Sequence, residues 1–274
     1  MGEAASFRAR LSMAVTRRQS LLCIGLDPEI GLLPERLRSL PPEEAVLAFN
    51  RHIIESTADL VVAYKPNLAF YESLGPAGLE ALRLTLRLIP PGVLTIGDAK
   101  RGDIANTMRH YARALFDVYG FDAVTASPYL GQDALAPLAG RAERGVFVLC
   151  RTSNPGSAEI ADLDVAGQPL YLRVAERVQA WNENDNLGLV VGATHPRQLA
   201  AVRRACPQLP VLLPGVGAQG GDLEEAVAAG LDESRAGLVV VAARQILYAS
   251  DGDDYPLAAR QAATALRDRI NRMR

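Results

Sequence analysis

The stretch Gly92-Val-Leu-Thr-Ile-Gly-Asp-Ala-Lys100 starts as an apolar run and ends in charged residues. Such a run predicts a buried strand, and the change to charge at Asp98 predicts the polar end of that strand. The eight runs of this kind lie roughly 23 to 43 residues apart, which leaves room for a helix after each strand. The other seven are Ser20–Leu26, Leu60–Lys65, Phe121–Ala126, Gly145–Arg151, Leu187–Gly192, Pro210–Leu213 and Ala236–Arg244.

Helix signals occupy the segments between these runs. Pro41-Pro-Glu-Glu44 places prolines and acids at a helix start, and Val46, Phe49 and Ile53 follow at helical spacing. Regular alternation of strand and helix predicts a parallel sheet. With eight such units and no break in composition, the sequence predicts an α/β fold, a single (β/α)8 TIM barrel.

Signals near the end of the chain complete this prediction. Asp222 predicts a capped start for a helix that stops at Gly230. Leu266, Ile270 and Met273 predict the apolar stripe of a closing C-terminal helix. We therefore expect residues 1–274 to form one barrel domain, with a short N-terminal lead-in helix and a C-terminal closing helix.

Composition excludes several classes of function. The 274 residues include 29 Lys+Arg and 31 Asp+Glu, a net charge of −2, so there is no basic excess for a nucleic-acid binder. No run of about 18 apolar residues predicts a membrane span, and the N-terminus lacks a signal-peptide core, so we expect a cytoplasmic protein. The histidines lack partner spacing, and the cysteines lack metal-ligand spacing, so we expect no metal. The cysteines are Cys23, Cys150 and Cys206.

Charged residues of alternating sign follow the first three predicted strands. Asp27 ends the first, Lys65 ends the second, and Asp98 and Lys100 end the third, with Asp103 close behind. The strand period of two puts Asp98 and Lys100 on one face, and barrel enzymes carry their chemistry at these strand ends. An ammonium between carboxylates stays protonated, stabilises developing negative charge and donates a proton. The alternative is a structural ion-pair network that closes the barrel.

A glycine-rich loop follows the seventh predicted strand. Gly215, Gly217 and Gly220 satisfy G-x-G-x-x-G, which also occurs in dinucleotide-binding folds. That interpretation needs an acidic residue about 20 positions on, where this chain carries Arg244 near the eighth strand end. An arginine there would suit an NADP phosphate, so this alternative stays open. The barrel explains the same residues, because barrel enzymes often bind phosphate with the loops after strands seven and eight.

The segment Asp98-Ala-Lys-Arg-Gly-Asp-Ile104, with Asn106-Thr107 after it, resembles the Asp-x-Lys-x-x-Asp signature of the orotidine 5′-monophosphate decarboxylase family, in its second sequence type (type 2). The resemblance spans nearly the whole chain, and its landmarks follow in the family's order. They are Gly25-Leu-Asp-Pro28, Tyr64-Lys-Pro-Asn67, Thr125-Ala-Ser-Pro-Tyr-Leu-Gly131, Arg151-Thr-Ser-Asn-Pro-Gly156 and Pro214-Gly-Val-Gly-Ala-Gln-Gly-Gly-Asp222.

The resemblance implies a role for each catalytic position. Lys100 matches the lysine that protonates C6 of the pyrimidine as carbon dioxide leaves, and Asp98 matches the aspartate beside the substrate carboxylate. Lys65 matches the lysine that contacts that aspartate and the ribose. Asp103 and Thr107 match residues supplied across a dimer interface, which implies a homodimer with shared sites.

It also implies the substrate-binding residues. Asp27 matches the aspartate bonded to the ribose hydroxyls, and Ser153 matches the serine that reads the pyrimidine. Gln219 matches the glutamine that bridges base and phosphate, and Arg244 matches the phosphate arginine. One departure is that Ala242-Ala243 precede Arg244 where the family usually carries Gly or Ser.

The resemblance therefore implies a cofactor-free lyase that makes uridine 5′-monophosphate and carbon dioxide from orotidine 5′-monophosphate in pyrimidine biosynthesis. Two alternatives stay open from the sequence. One is a related barrel that acts on a sugar phosphate, such as a metal-dependent decarboxylase or an aldolase-like synthase. The other is a nucleotide-binding barrel without catalysis, although a binder would not need Asp98, Lys100 and Asp103 together.

Overall fold

Eight parallel strands close into a barrel in sequence order, with the last strand paired to the first. The structure is a computed structural model that describes residues 5–216 and 222–274. The strands are β1 (Leu22–Leu26), β2 (Ala63–Pro66), β3 (Leu94–Arg101), β4 (Ala123–Ala126), β5 (Gly145–Arg151), β6 (Leu187–Val191), β7 (Val211–Leu213) and β8 (Leu238–Ala242). The predicted barrel is confirmed.

Helices occupy the connections between successive strands and lie outside the barrel. The α-helices are α1 (Phe7–Arg18), α2 (Glu35–Arg38), α3 (Pro42–Thr57), α4 (Leu68–Glu72), α5 (Gly75–Leu88), α6 (Ala105–Ala112), α7 (Gln132–Ala139), α8 (Ala158–Ala161), α9 (Leu170–Ala180), α10 (Pro196–Ala205), α11 (Leu223–Gly230), α12 (Arg244–Leu247) and α13 (Tyr255–Asn271). Short 3₁₀ turns span Ile30–Leu32 and Pro155–Ser157, and α6 continues as a π-helix over Arg113–Val118.

Every predicted strand is present, and β5 has the predicted bounds. Most other strands start later than predicted, because apolar residues just before a strand are already buried without forming a full ladder. Leu21 and Val61 are examples, since both are fully buried ahead of β1 and β2. Apolarity therefore reports burial, whereas strand bounds also depend on pairing with the neighbour.

The predicted helix faces point into the core. Val46, Phe49 and Ile53 of α3 are fully buried. In α13, Ile270 is buried in the same way, whereas Met273 lies beyond the helix end and packs against the core only in part. The predicted stripes are thus confirmed, with the last residue of the closing helix displaced past its end.

The predicted cap of α11 is also present. The Asp222 carboxylate accepts a hydrogen bond from the backbone N–H of Glu225 at 2.9 Å, and the helix ends at Gly230. A Cβ on Gly230 would lie 2.7 Å from Leu238 Cδ2. Gly230 therefore ends the helix where it packs tightly against β8.

Helix α1 crosses the end of the barrel where the strands begin. The Phe7 ring occupies the space that a side chain on Gly145 would need, because a Cβ there would lie 2.6 Å from Phe7 Cδ1. Arg8 donates to the backbone oxygen of Gln208 ahead of β7, and Arg10 pairs with Asp122 ahead of β4. One helix thus joins the starts of three strands, at the end opposite to the charged strand termini.

Candidate active site

The end of β3 departs from regular strand geometry at the charged cluster. Gly97 pairs with Val124 and Arg101 with Ala126, so β3 uses two residues more than β4 over this span and forms a bulge. Lys100 lies inside the bulge with a left-handed backbone, φ 47°. Bulges near active sites turn a side chain in a direction that a regular strand would not allow.

This geometry corrects one step of the sequence argument. The prediction that Asp98 and Lys100 lie together is correct, since Lys100 Nζ lies 2.6 Å from Asp98 Oδ1. The regular period of two is not how they meet, because the bulge and the left-handed residue intervene.

Asp98 binds two ammonium groups at once. Lys65 Nζ, at the end of β2, lies 2.7 Å from Asp98 Oδ2, on the oxygen that Lys100 does not use. The Lys65 side chain is 6% exposed, whereas the Lys100 side chain is 49% exposed. Lys65 is therefore a buried partner of the carboxylate, whereas the Lys100 side chain is half-exposed.

The charges in this cluster support one another. Burial alone would raise the pKa of Asp98, but the Lys65 and Lys100 ammonium groups outweigh it and hold that pKa far below its usual range. Burial alone would lower the pKa of Lys65, but the carboxylates of Asp27 and Asp98 outweigh it and raise that pKa. Asp98 and Lys65 are therefore both ionised at neutral pH.

Asp27 faces the same cluster from β1. Its Oδ1 accepts a hydrogen bond from the backbone N–H of Asn67 at 3.0 Å. Burial raises the pKa of Asp27, and Lys65 opposes that rise only in part. A carboxylate held this way binds ligand hydroxyl groups well, because they replace the hydration that it lacks.

Two adjoining cavities open at this end of the barrel, of about 330 and 400 Å³. They share Lys65, Asp98 and Pro214, so the charged cluster lies where they meet. The first is also lined by Asp27, Glu29, Phe70, Gly215, Val216, Val241, Ala243, Arg244 and Tyr248. The second is also lined by Lys100, Thr125, Leu149, Thr152, Ser153, Asn154, Val190 and Leu212.

The structure thus gathers six of the nine predicted site residues around one space. Arg244 lies on the side of Asp27, and Ser153 lies on the side of Lys100. Gln219 lies outside the described residues. Asp103 and Thr107 do not line either cavity as described, and the Asp103 carboxylate accepts a hydrogen bond from the N–H of Ile104 at 2.7 Å.

Among the polar site residues that were not predicted, Thr125 bonds directly to Asp98 and Tyr248 bonds to the backbone of Asp27. Thr125, at the end of β4, donates to Asp98 Oδ1 at 2.9 Å and is almost fully buried. The Tyr248 hydroxyl accepts from Glu29 N–H at 2.7 Å and donates to the Asp27 backbone oxygen at 3.3 Å. A hydroxyl at the strand end next to the charged strand was the available signal for Thr125. Tyr248 lies beyond β8, and no local sequence signal pointed to it.

The departure at Ala243 has a structural counterpart in Gly25. A Cβ on Gly25 would lie 2.8 Å from the Ala243 methyl carbon, closer than two such carbons can approach. Gly25 therefore leaves the space that the Ala243 methyl fills. The methyl packs against β1, while Arg244 lies next to it on the cavity wall.

The thiols are in environments that keep them protonated. Burial raises the pKa of Cys23 to about 12, against the opposing charge of Lys65, and raises that of Cys150 to about 12 and of Cys206 to about 11. Protonated thiols are poor nucleophiles at neutral pH. Within residues 5–216 and 222–274, no three His, Cys, Asp or Glu side chains form a group that could hold a metal ion.

Fold and site together define a (β/α)8-barrel enzyme with a lysine–aspartate–lysine cluster at the catalytic end. The orotidine 5′-phosphate decarboxylase / HUMPS family matches residues 20–255 of the chain. The chain is 56% identical to an orotidine 5′-phosphate decarboxylase from Thermomicrobium roseum over 98% of its length and 96% of that protein. It is 48% identical to one from Herpetosiphon aurantiacus, over 94% and 96% of the two chains.

Solved structures agree with this assignment. The orotidine monophosphate decarboxylase of Leishmania donovani superposes with a TM-score of 0.87 at 39% identity, and 98% of each chain is covered. The uridine monophosphate synthase of the same organism gives a TM-score of 0.89 at 41% identity, over 98% of this chain and 56% of that one. The chain belongs to the orotidine 5′-phosphate decarboxylase / HUMPS family, which confirms the predicted family and the predicted class of carboxy-lyase.

No helix in the described ranges combines the length and apolarity that crossing a membrane requires.

Proposed function

We propose that the chain converts orotidine 5′-monophosphate to uridine 5′-monophosphate and carbon dioxide in pyrimidine biosynthesis, without a cofactor and with Lys100 as the proton donor. The activity follows from the family and from relatives named for it. One observation carries the mechanism. The Asp98 carboxylate holds two ammonium groups where the two cavities meet, and the exposed ammonium is that of Lys100.

The chemical step needs a cation beside C6 of the pyrimidine. The bond between C6 and the carboxylate carbon breaks, carbon dioxide leaves, and the electron pair stays on C6. The Lys100 ammonium stabilises that charge, which costs little reorganisation because Asp98 already holds the group in place. Lys100 then donates a proton to C6, and as a half-exposed side chain it regains one from solvent.

Asp98 has two possible roles in this step. It disfavours the substrate carboxylate by like-charge repulsion, or it positions Lys100. The ion pairs at 2.6 and 2.7 Å and the hydrogen bond from Thr125 support positioning, because they hold both carboxylate oxygens in one orientation.

The two cavities suit the two ends of a nucleotide. In our proposal Asp27 and Lys65 bind the ribose hydroxyls. Arg244 binds the phosphate, and Gln219 bridges the base and the phosphate. Ser153 reads the pyrimidine in the second cavity, whose other lining includes the apolar Leu149. Phosphate binding far from C6 contributes free energy that helps to order the site for the chemical step.

We propose a homodimer in which Asp103 and Thr107 complete the partner's site. Both follow β3, and neither lines the cavities of its own chain where these are described. Ile104 is 64% exposed and Tyr129 is 88% exposed, next to these residues and in the loop after β4. Large exposed apolar side chains in the loops that follow two neighbouring strands support a protein interface there. Cytoplasmic location and a single domain over residues 1–274 stay predictions.

The decisive experiment is loss of orotidine 5′-monophosphate in the presence of a metal chelator. We expect full turnover by the unsubstituted protein and a loss on the order of a thousandfold or more in Lys100→Ala, which should still bind uridine 5′-monophosphate. Near-normal turnover by Lys100→Ala would contradict the role of Lys100.

The same assay separates the alternatives. Activity that disappears on chelation would favour the metal-dependent barrel acting on a sugar phosphate. Uridine 5′-monophosphate binding without decarboxylation at high enzyme concentration would indicate a nucleotide-binding barrel without catalysis.

A further inference from the structure

A buried arginine next to the proposed pyrimidine site lines neither cavity of the described structure. Arg151 ends β5, and its side chain is 3% exposed. Its Nε and Nη2 donate to the two carboxylate oxygens of Asp162 at 2.9 and 3.0 Å. Burying a guanidinium so completely is costly unless each donor finds a partner, so the environment of Arg151 is built around it.

The remaining contacts of Arg151 lie within the same loop. Nη1 donates to the backbone oxygen of Thr152 at 3.1 Å and also to the Ser157 hydroxyl. The guanidinium thus binds the start, the middle and the far end of the segment 152–162. Because the guanidinium is planar and rigid, its hydrogen bonds fix these three points relative to one another. A lysine ammonium on a flexible side chain would not do so.

The segment that Arg151 holds forms part of the wall of the second cavity. Thr152, Ser153 and Asn154 line the second cavity, on the side of Lys100. The side assigned to phosphate is lined instead by Gly215 and Arg244, which follow β7 and β8. The contacts of Arg151 therefore act on one end of the proposed nucleotide site and not on the other.

Ser153 also packs against the residue that follows β6. A Cβ on Gly192, just after β6, would lie 2.6 Å from Ser153 Cβ and 2.8 Å from Ser153 Cα. The backbone N–H of Gly192 donates to the backbone oxygen of Arg151 at 2.8 Å. Ser153 therefore rests directly on the backbone of the neighbouring strand end, and only glycine permits that approach.

We propose that Arg151 is a positioning residue for pyrimidine recognition, because its fork fixes the loop that presses Ser153 against Gly192 and into the second cavity. This rests on the proposed function, in which Ser153 reads the base. It adds that recognition depends on a buried residue that touches no ligand. The cause is geometric, since a looser loop lets Ser153 move away from its hydrogen-bonding position.

The test compares two ligands that share the ribose phosphate and differ in the base. Dissociation constants of uridine 5′-monophosphate and ribose 5-phosphate are measured by calorimetry for the unsubstituted protein and for Arg151→Lys. We expect uridine 5′-monophosphate to bind about tenfold more weakly to the variant, the size of one lost hydrogen bond. Ribose 5-phosphate binding should stay within about twofold.

Arg203→Lys is the matched control. Arg203 is also a buried arginine that ties loops together, with donor bonds to the backbone oxygens of Gly230, Leu209 and Gly237, at the opposite end of the barrel. Arg203→Lys should lower the free energy of unfolding and leave the ratio of the two dissociation constants unchanged. An Arg151→Lys variant that weakens both ligands equally, or neither, overturns the proposal.

Two further variants keep the test open if Arg151→Lys does not fold. Asp162→Asn removes the carboxylate that pairs with the Arg151 guanidinium. It should also weaken uridine 5′-monophosphate binding relative to ribose 5-phosphate binding. If Arg151 acts through Ser153, the double variant Asp162→Asn/Ser153→Ala should bind uridine 5′-monophosphate as tightly as Ser153→Ala alone, within about twofold. Additive losses contradict the proposal.

Failure of this inference is distinct from failure of the proposed function. An unsubstituted protein that binds uridine 5′-monophosphate and does not decarboxylate overturns the function alone. An active protein whose ligand ratio is unchanged by Arg151→Lys and by Asp162→Asn overturns the positioning role alone.

Discussion

The hydroxyl of Thr125 accepts a hydrogen bond from the backbone N–H of Lys100 at 2.9 Å. The same hydroxyl donates to Asp98 Oδ1 at 2.9 Å, so one buried side chain joins the backbone of the lysine to the carboxylate that binds its ammonium. A left-handed backbone costs a residue with a side chain about 1 kcal/mol or more. Thr125 is therefore a principal contact that holds the bulge of β3 in its observed shape.

Thr125→Val should lower kcat by on the order of tenfold or more, because the isosteric change removes both hydrogen bonds from the bulge. KM should change less, since most of the residues that we propose to bind the ribose and the phosphate lie in the other cavity. Steady-state kinetics with orotidine 5′-monophosphate measure both constants.

Thr95→Val is the matched control for Thr125→Val. Thr95 lies near the start of the same strand, where its hydroxyl donates to Asp122 Oδ2 at 3.0 Å. Thr95→Val should lower the free energy of unfolding and leave kcat unchanged. Equal kcat losses in both variants would show that Thr125 has no special relation to the site.

Asp98→Asn should lower the free energy of unfolding by about 3 kcal/mol at neutral pH, because it leaves the buried Lys65 ammonium without its contacting carboxylate. The two lysines hold the pKa of Asp98 below its unfolded value. Its stabilising contribution is therefore complete above about pH 4 and is lost as the pH falls below that value. Urea denaturation of both proteins between about pH 7 and pH 3 should show the difference shrinking only at the acid end.

Asp117→Asn provides the comparison for Asp98→Asn. Asp117 also has a lowered pKa, through its hydrogen bond from Arg141, but this pair is on the surface. Solvent screening makes such pairs weak, so this variant should change stability little. A difference for Asp98→Asn that persists unchanged at low pH would contradict the assigned ionisation.

Gly25→Ala should destabilise the protein by about 1 to 3 kcal/mol, because the new methyl meets that of Ala243. Ala243→Gly in the same chain removes the obstacle and should restore most of the loss. Denaturation of the parent, the single variants and the double variant gives the coupling energy directly. Additive effects would mean that the two positions do not share the space as described.

Mixing two inactive variants tests the shared site. Lys100→Ala lacks the residue that we propose as the proton donor, and Asp103→Ala lacks the residue that we propose to act in the partner's site. Mixed dimers contain one site with both defects and one with neither, so activity should recover in part after subunit exchange. No recovery despite demonstrated exchange, or full activity of a monomer in sedimentation-coupled assays, would contradict the shared site.

The barrel was predictable because each strand is a short buried run with a polar end. Predicted and observed bounds coincide for β5 and differ at the flanks of β2, where Val61 is buried outside the strand. Such differences follow from the use of apolarity as the signal, since it records burial and not hydrogen-bond pairing.

Which residues form the site was easier to predict than how they are arranged. Asp27, Lys65 and Asp98 are found together because parallel strands bring their ends to one rim. The bulge at Lys100 was not predictable from a period of two, because a bulge depends on how β3 and β4 pair. The fork of Arg151 was missed because Asp162 lies eleven residues away in a loop without regular periodicity.

Helix α1 and the charged cluster lie at opposite ends of the barrel. Its contacts with Gly145 and Gln208 join strand starts, whereas Asp98 and Lys100 lie at the strand ends. Substitutions in α1 that strengthen those contacts can raise the unfolding temperature without reaching the reacting groups. Thermal tolerance can therefore be adjusted at this helix without moving the charged cluster, so stability and activity need not be exchanged for one another there.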